Sequence, residues 1–413
     1  MSASPRIIFV NRFYWPDEPA TAQLLTDLAE ALAATGHSVT IITSSPRQPA
    51  CPVIEIRNGV EIRRTRSSRL GHRNLVGRAL DFLSFSVKAL RLLSKIIHNG
   101  DTVVLMTDPP LLGCAATSIA LKRGAHVVHW IQDVYPEIAT AVSGNRLPLI
   151  SRNWRNRAWR RSDRCVVLGS DMASFVAACG VASDKIHICP NWAPSGLAPI
   201  AEPTSSDLRT QWGLVGKFVI GYSGNLGRVH DLEPLLDVAD ALRSEPDIAF
   251  VFIGDGAQKS QLQSGAGSRQ LKNIFFQPAQ PREHLHETLA LPDLHVVTLR
   301  TGCEQLVFPS KLYGITAVGR PVIFIGPAQS EIARLVQADG FGIALTRRDP
   351  AATAAAIRRL RDDVGQQTSM RQAAIRFWET KGKLDHAVKH WSALLAGLKP
   401  LAVSSSPTTV SNQ

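Results

Sequence analysis

Lys311 stands where a lysine is out of keeping with its neighbours. In "FPSKLYGITAVGRPVIFIG", Phe308–Gly326, Pro309 and Ser310 read as the start of a helix with Ser310 as N-cap, and Gly319 before Pro321 reads as its stop. Lys311 therefore falls in the first turn, whose free N–H groups carry roughly half a positive charge and disfavour a cation by ~0.3–1 kcal/mol. An anion held between those N–H groups and the ammonium turns the repulsion into a shared site, and a diphosphate has the charge and the reach for it. The competing reading is a lysine whose stem lies along the protein while its ammonium reaches solvent.

Two further stretches offer the same chemistry. In "GYSGNLGRVHDLEPLL", Gly221, Gly224 and Gly227 permit a close backbone approach, and Asn225, Arg228 and His230 bring donors. In "FIGDGAQKS", Gly254 and Gly256 end an apolar run, with Asp255 or Lys259 placed to face a nucleotide; later, Glu331 opens the helix after "PVIFIG". Taken singly, each is as readily a tight turn with a solvated charge. All lie where strands feed helices, which is where open parallel sheets bind ligands. Carboxylates form a second group: Asp133 and Glu137 of "QDVYPE" follow a strand end, and Asp17 and Glu18 lie on the first loop. A carboxylate so placed either orients a substrate hydroxyl and assists its deprotonation or satisfies the N–H groups of a helix start. Asn191 of "PNW" reads as a hinge or cleft residue rather than a catalyst.

The elements that must position these residues follow from apolar periodicity. "RIIFVN", the loop "RFYWPDEPA", a helix from Thr21 to Ala34 and "SVTIIT" make a βαβ unit. The alternation continues with "DTVVLMT", a helix through "LLGCAATSIALKRG", "HVVHWIQD", a basic helix from about Pro148 to Arg161, "RCVVLGS" and "KIHICP". A Pro- and Ser-rich linker, Cys189–Leu208, follows, and the pattern restarts with "KFVIGYSG", "IAFVFIGDG", "NIFFQPA", "DLHVVTLR", "PVIFIG" and "GIALT", separated by helices. Two helical stretches, Pro350–Asp363 and Thr368–Leu398, complete it. The expectation is an α/β protein of two tandem doubly wound domains. Their bounds are residues 1–195 and 209–380, with a helix over 381–400 crossing back to the first domain and a polar, disordered tail over 401–413.

The chain has 413 residues, enough for two cores, and 45% of them are hydrophobic. Its net charge of +12 is uneven: residues 1–200 hold 23 basic against 14 acidic side chains, the remainder 23 against 20. The excess lies in two runs, Arg57–Arg78 and Arg152–Arg161, which suit phosphates, nucleic acid or an anionic membrane surface. A finger, an RNA-binding signature and a compact basic recognition helix are all missing, which argues against nucleic acid. Six cysteines without zinc or disulfide spacing read as reduced, intracellular thiols. Neither a signal peptide nor an apolar run of spanning length is visible, so a cytoplasmic protein is expected.

At this point the residues converge on a family. "FYWPDEPATAQLLTDLAEALAATGHSVTIITSSP", "TDPPLLG", "WIQDVYPE", "ICPNWAP", "GYSGNLGRVHDLEPLL", "FIGDGAQ" and "FPSKLYGITAVGRPVIFIG" run in an order that resembles the retaining glycosyltransferases of family 4, from residue 7 to about 345. Most similar are bacterial exopolysaccharide and O-antigen enzymes, the colanic acid and N-acetylfucosamine transferases. The resemblance implies a GT-B fold, two Rossmann-like domains facing across a cleft. The second domain would hold a nucleotide-sugar donor, a UDP-sugar being favoured, and the first an acceptor glycan.

Carried over by position, Gly224 and Asn225 stand in the diphosphate loop, and Ser310 and Lys311 stand in a motif that approaches the diphosphate. The family's arginine and lysine in that loop align with Asn225 and roughly His230, so Arg228 is expected to restore the charge. Its paired glutamates align with Leu306 and Gly314, which leaves Glu304 as the nearest carboxylate for the sugar ring and Glu331 for the ribose. The catalytic set is thus Asp133, Lys311, Arg228 and Glu304, with Gly254 and Asp255 beside the donor.

Transfer is expected without metal or other cofactor, through an oxocarbenium-like state in which the leaving diphosphate assists the acceptor proton. The basic runs fit a polyprenyl-diphosphate-linked acceptor and peripheral association with the inner membrane. Phe82, Phe85, Leu90 and Leu93 near Lys88, Arg91 and Lys95, and Trp154 and Trp159 among arginines, are the candidate lipid contacts. The alternatives are a sugar-nucleotide 2-epimerase of the same architecture and an inactive homologue acting as a membrane-surface binding protein.

Overall fold

The computed structural model describes residues 5–46, 50–68, 70, 75–200, 207–345 and 349–398; the proposed tail lies outside them. The first domain contains β1 (Ile7–Val10), β2 (Val39–Ser44), β3 (Ile54–Arg57), β4 (Val60–Thr65), β5 (Thr102–Leu105), β6 (His126–Trp130), β7 (Arg164–Val167) and β8 (Ile186–Ile188). They form one sheet in the order β3-β4-β2-β1-β5-β6-β7-β8, parallel except for the β3–β4 hairpin. The second contains β9 (Phe218–Ser223), β10 (Ile248–Ile253), β11 (Ile274–Gln277), β12 (Leu294–Thr298), β13 (Val322–Ile325) and β14 (Gly342–Leu345), ordered β11-β10-β9-β12-β13-β14. In both sheets the strand order reverses beside the first strand, between β1 and β5 and between β9 and β12. A crevice opens at that point beyond the carboxyl ends of the strands.

The central strands are buried on both faces, as in "IAFVFI" of β10, because helices cover both sides of the sheet. One feature absent from the sequence reading is the β3–β4 hairpin. Its turn is Asn58-Gly59, both with positive φ (46° and 79°), and the strands on either side use up much of the first basic run. Arg64 is buried and pairs with Glu55 at 2.5 Å, Arg63 pairs with Glu61 at 2.7 Å, and Arg57 pairs with Glu30 while stacking over Trp15. The expected lipid contacts are corrected in the same way. Phe85 and Leu93 belong to the core against β1, β2 and β5, and Trp159 is buried under Arg155, because the apolar side of each helix is taken by the sheet it covers.

The final helical stretch is broken where the sequence suggested continuity. Helix Val364–Phe377 runs into a wide turn, Trp378–Gly382, before helix Leu384–Ala396 begins. The Gly382 carbonyl accepts the Ala193 N–H at 2.8 Å, joining the two points at which the chain passes between domains. Helix Leu384–Ala396 packs on the first domain: Trp391, fully buried, lies edge-on to Trp130 at 5.1 Å and tilted to Phe9 at 6.3 Å.

Candidate active site

The donor side is built by three loops at the carboxyl edge of the second sheet. Gly224 follows β9 with φ +117°, and Gly254 follows β10 with φ +137°. A Cβ on Gly254 would collide with the Gly224 carbonyl, so the two loops lie backbone on backbone and only glycine serves there. Lys311 begins the third element, helix Lys311–Ala317. Ser310 does not cap it as expected: its backbone is already helical, its hydroxyl makes no cap bond, and the Leu312 and Tyr313 N–H groups donate instead to the Pro309 and Ser310 carbonyls, at 3.2 and 3.1 Å.

Lys311 does not reach solvent. Its Nζ is buried, has no hydrogen-bond partner among the described residues, and sits 3.6 Å from the centre of the Tyr222 ring. A Cβ built on Gly224 would lie 3.6 Å from the same Nζ, which places the ammonium against the glycine loop. Desolvation pushes the ammonium down to about 7. Tyr222, absent from the sequence reading, is held by its hydroxyl, which donates to the Asn225 carbonyl at 2.9 Å. Beneath it, His230 is buried with Nδ1 2.9 Å from the Thr298 carbonyl. Burial and the nearby Lys311 charge push the imidazole down to about 3, so it is neutral, with Nδ1–H donating. A buried ammonium with no hydrogen-bond acceptor among the described residues is an unsatisfied donor, and an anion is what satisfies it.

The remaining donor-side residues divide. Asn225 and Arg228 are exposed on the same loop, and Glu304 is half-buried on the loop before Lys311. Asp255 is corrected: its carboxylate is exposed and spent on Lys259 at 2.6 Å, and its carbonyl, accepting the Leu226 N–H at 2.9 Å, does the positioning. Glu331 is corrected as well. Its N–H donates to Asp171 Oδ2 at 2.6 Å, its carboxylate accepts the Asp171 N–H at 3.4 Å, and a Cβ on Gly169 would overlap it. Two helices from different domains, Ser170–Ala178 and Glu331–Asp339, thus satisfy each other's first turns, and Arg334 closes the contact on Asp171 at 2.6 Å. Glu331 is a clasp between domains, not a ribose ligand.

On the acceptor side, Asp133 follows β6 and its N–H donates to Thr107 Oγ1 at 3.3 Å. Burial, with Asp108 nearby, pushes its carboxyl up to about 6. Asp108, at the end of β5 and also missed, is held by Arg12 at 3.1 Å. Asp17 closes a turn by accepting the Tyr14 N–H at 3.4 Å, and burial raises its carboxyl. Glu18 is exposed and engages Gln23 through its carbonyl, at 2.7 Å. Glu137 is corrected: both oxygens accept from Arg155, at 2.7 and 2.8 Å, in a nearly buried pair, so it fixes a helix rather than an acceptor.

The two sides meet directly. Asp133 bridges to Val307, the Val134 N–H donates to the Leu306 carbonyl at 2.8 Å, and Leu306 packs with Ile131, Val134, Trp159 and Met172. Leu306, at one position where the resemblance expected a glutamate, is an apolar plug between domains. Gly314, at the other, is buried, with its Cα facing Leu289, Leu197 and Pro194.

Two doubly wound domains facing each other through strand-end loops, with a buried lysine on one side and a buried carboxylate on the other, define a GT-B transferase. The comparisons agree. The model "Glycosyltransferase Family 4" matches residues 21–194 and "Glycosyl transferases group 1" matches 205–377. Together the two models span most of the chain, which is a glycosyltransferase similar to family 4 in its first half and to group 1 in its second. It is 27% identical over 352 residues, 80% of this chain and 86% of the other, to the putative colanic acid biosynthesis glycosyl transferase WcaI of Escherichia coli (strain K12). It is 28% identical over 297 residues, 70% of this chain and 72% of the other, to the probable glycosyltransferase WbjE of Pseudomonas aeruginosa. In fold it matches Anabaena HepE, solved in complex with UDP-glucose, with a TM-score of 0.72 at 13% identity, covering 95% of this chain and all of that one. No helix among the described residues is long and apolar enough to cross a membrane.

Proposed function

We propose that the protein moves a hexose or N-acetylamino sugar from a UDP-sugar, with retention at the anomeric carbon, to a polyprenyl-diphosphate-linked glycan in cell-surface polysaccharide synthesis. The cytoplasmic face of the inner membrane is where such an acceptor is presented. The carrying observation is the Lys311 ammonium, buried against the Gly224 loop without an acceptor among the described residues. The bond from the anomeric carbon to the diphosphate oxygen breaks while the acceptor oxygen bonds on the same face. The acceptor proton passes to the departing diphosphate. Lys311 and Arg228 stabilise the charge growing on that diphosphate, so their attraction is stronger in the transition state than in the ground state. Asp133, ionised above pH ~6, accepts a hydrogen bond from the acceptor hydroxyl. The similarity to WcaI, a putative colanic acid biosynthesis transferase, and the UDP-glucose complex of HepE support the reading.

A thermal-shift panel of UDP, GDP, ADP and TDP sugars tests the donor, since stabilisation grows with ligand concentration over Kd. A shift with UDP-sugars alone is expected, and a shift confined to another base overturns that choice. Anomeric analysis of the product tests retention, and a donor epimerised without acceptor would replace transfer by the other enzyme class. With Lys311 supplying the positive charge, EDTA is expected to leave the rate unchanged; loss of activity restored by manganese would contradict this.

Donor binding also has a proton signature. The Lys311 ammonium titrates near 7 in the free protein, and a diphosphate beside it raises that value toward the ordinary lysine range. At pH 8 the free amine is mostly neutral and the bound one charged, so binding takes up a proton. Calorimetry of a UDP-sugar in buffers of different ionisation enthalpy should show uptake at pH 8 that shrinks at pH 6. Equal heats in all buffers at pH 8 would remove the diphosphate from Lys311.

A further inference from the structure

The outward face of the first domain is not the one that periodicity singled out. Helix Leu75–Ile96 gives Phe85, Ala89 and Leu93 to the core and turns Leu80, Leu83 and Val87 outward, Leu83 being 61% exposed. Farther along, the same stripe becomes Lys88, Arg91 and Lys95, all exposed. Spacings of three and four residues keep the two halves of the stripe in line. Beside the basic half runs a groove between this helix and the β3–β4 hairpin, lined by Val53, Ile54, Arg66, Lys88, Arg91 and Lys95 among others. None of its described lining residues is acidic. Its far wall is the outer strand β3, where Ile54 and Ile56 stand 59% and 77% exposed.

We propose that this face docks on an anionic bilayer, with headgroup phosphates in the groove and Leu80, Leu83 and Val87 among the acyl chains. Charge complementarity selects an anionic partner. The exposed apolar side chains, continuous with the cations, select a bilayer over a nucleic-acid backbone, which offers phosphate without hydrocarbon. One helix farther along the same layer, beyond Leu112–Lys122, the composition recurs: Ile150, 78% exposed, and Trp154 are close in sequence to the exposed Arg152 and Arg157. The docking face also adjoins the acceptor side of the cleft. Phe82 of this helix lies under the Arg12 guanidinium at 4.5 Å, and Arg12 holds Asp108. A lipid-linked acceptor would therefore leave the bilayer next to Asp108 and Asp133. This step rests on the reading of the acceptor as lipid-linked.

The experiment is flotation of the full chain with vesicles of phosphatidylcholine alone and of equal parts phosphatidylcholine and phosphatidylglycerol. Binding is expected only to the second. Each cation near an anionic leaflet contributes about fivefold, so Arg91→Ala with Lys95→Ala should weaken partition about 25-fold. Leu83→Ser should weaken the binding that survives high salt. The UDP-sugar thermal shift, measured on each variant, should be unchanged. Equal flotation of wild type and the double variant overturns the proposal. Displacement from vesicles by inorganic pyrophosphate at equal ionic strength would also overturn it, because the groove would then be a site for an isolated diphosphate. If vesicle binding fails while the UDP-sugar shift persists, only this proposal falls; loss of that shift in the wild type removes the donor reading instead.

Discussion

Lys311→Ala is expected to lower kcat about a thousandfold while leaving the unliganded protein more stable than the wild type. The first effect follows from removing a preorganised donor at the point where charge develops on the leaving group, which costs on the order of 10²–10³ even for a neutral donor. The second follows from burial. Nζ is buried, with the face of Tyr222 at 3.6 Å and no hydrogen-bond acceptor among the described residues in place of water. The folded value near 7 lies below the ordinary lysine value of 10.5, so the folded state resists protonation. The penalty is fully present below pH 7 and fades as pH rises toward 10.5, because over that range the unfolded chain holds the extra proton. Lys311→Met, which keeps the stem, should therefore raise Tm more at pH 6 than at pH 10. A structural lysine would show the reverse pattern: lost stability with near-normal transfer, and that result would refute the diphosphate role.

Asp133→Asn carries the second large effect, an expected 10²–10⁴-fold loss in kcat/KM with the donor thermal shift intact. The wild-type rate should rise with pH through an ionisation near 6, since the carboxylate accepts the acceptor hydroxyl only when charged. Burial is the larger cause of that high value and the Asp108 charge the smaller. Asp108→Asn should accordingly move the limb to lower pH, and Asp133→Asn should abolish it. A limb near 6 that survives in Asp133→Asn would assign the ionisation elsewhere and end the case for this residue.

Apolar runs and glycine punctuation made nearly every strand legible, because a parallel strand buried on both faces has few other ways to be written. The hairpin Ile54–Thr65 escaped because its strands carry five arginines and glutamates whose pairing is visible only in space, although Asn58-Gly59 was the available signal. Among the candidate residues, the placement of Lys311, Gly224, Gly254 and His230 at one sheet edge was readable, since each sits on a strand-to-helix turn. Asp255, Glu331 and Glu137 were not, since sequence does not tell a carboxylate facing a cleft from one spent on a neighbouring lysine, a helix of the other domain or a buried arginine. Tyr222 had no signal at all: it reads as one more apolar position of β9. Leu306 looked like a loss from a glutamate pair and is instead a contact between domains.

The helix Leu384–Ala396 has a consequence for how the molecule is made. Trp391 completes the cluster of Phe9 and Trp130, so the core begun near residue 7 closes with side chains supplied some 380 positions later. During synthesis the second sheet emerges with its strands complete, while the first waits on the ribosome with an open apolar face. The half of the chain that is translated first is the half that is finished last. Shortening the C-terminus should accordingly expose the acceptor half to proteolysis before the donor half.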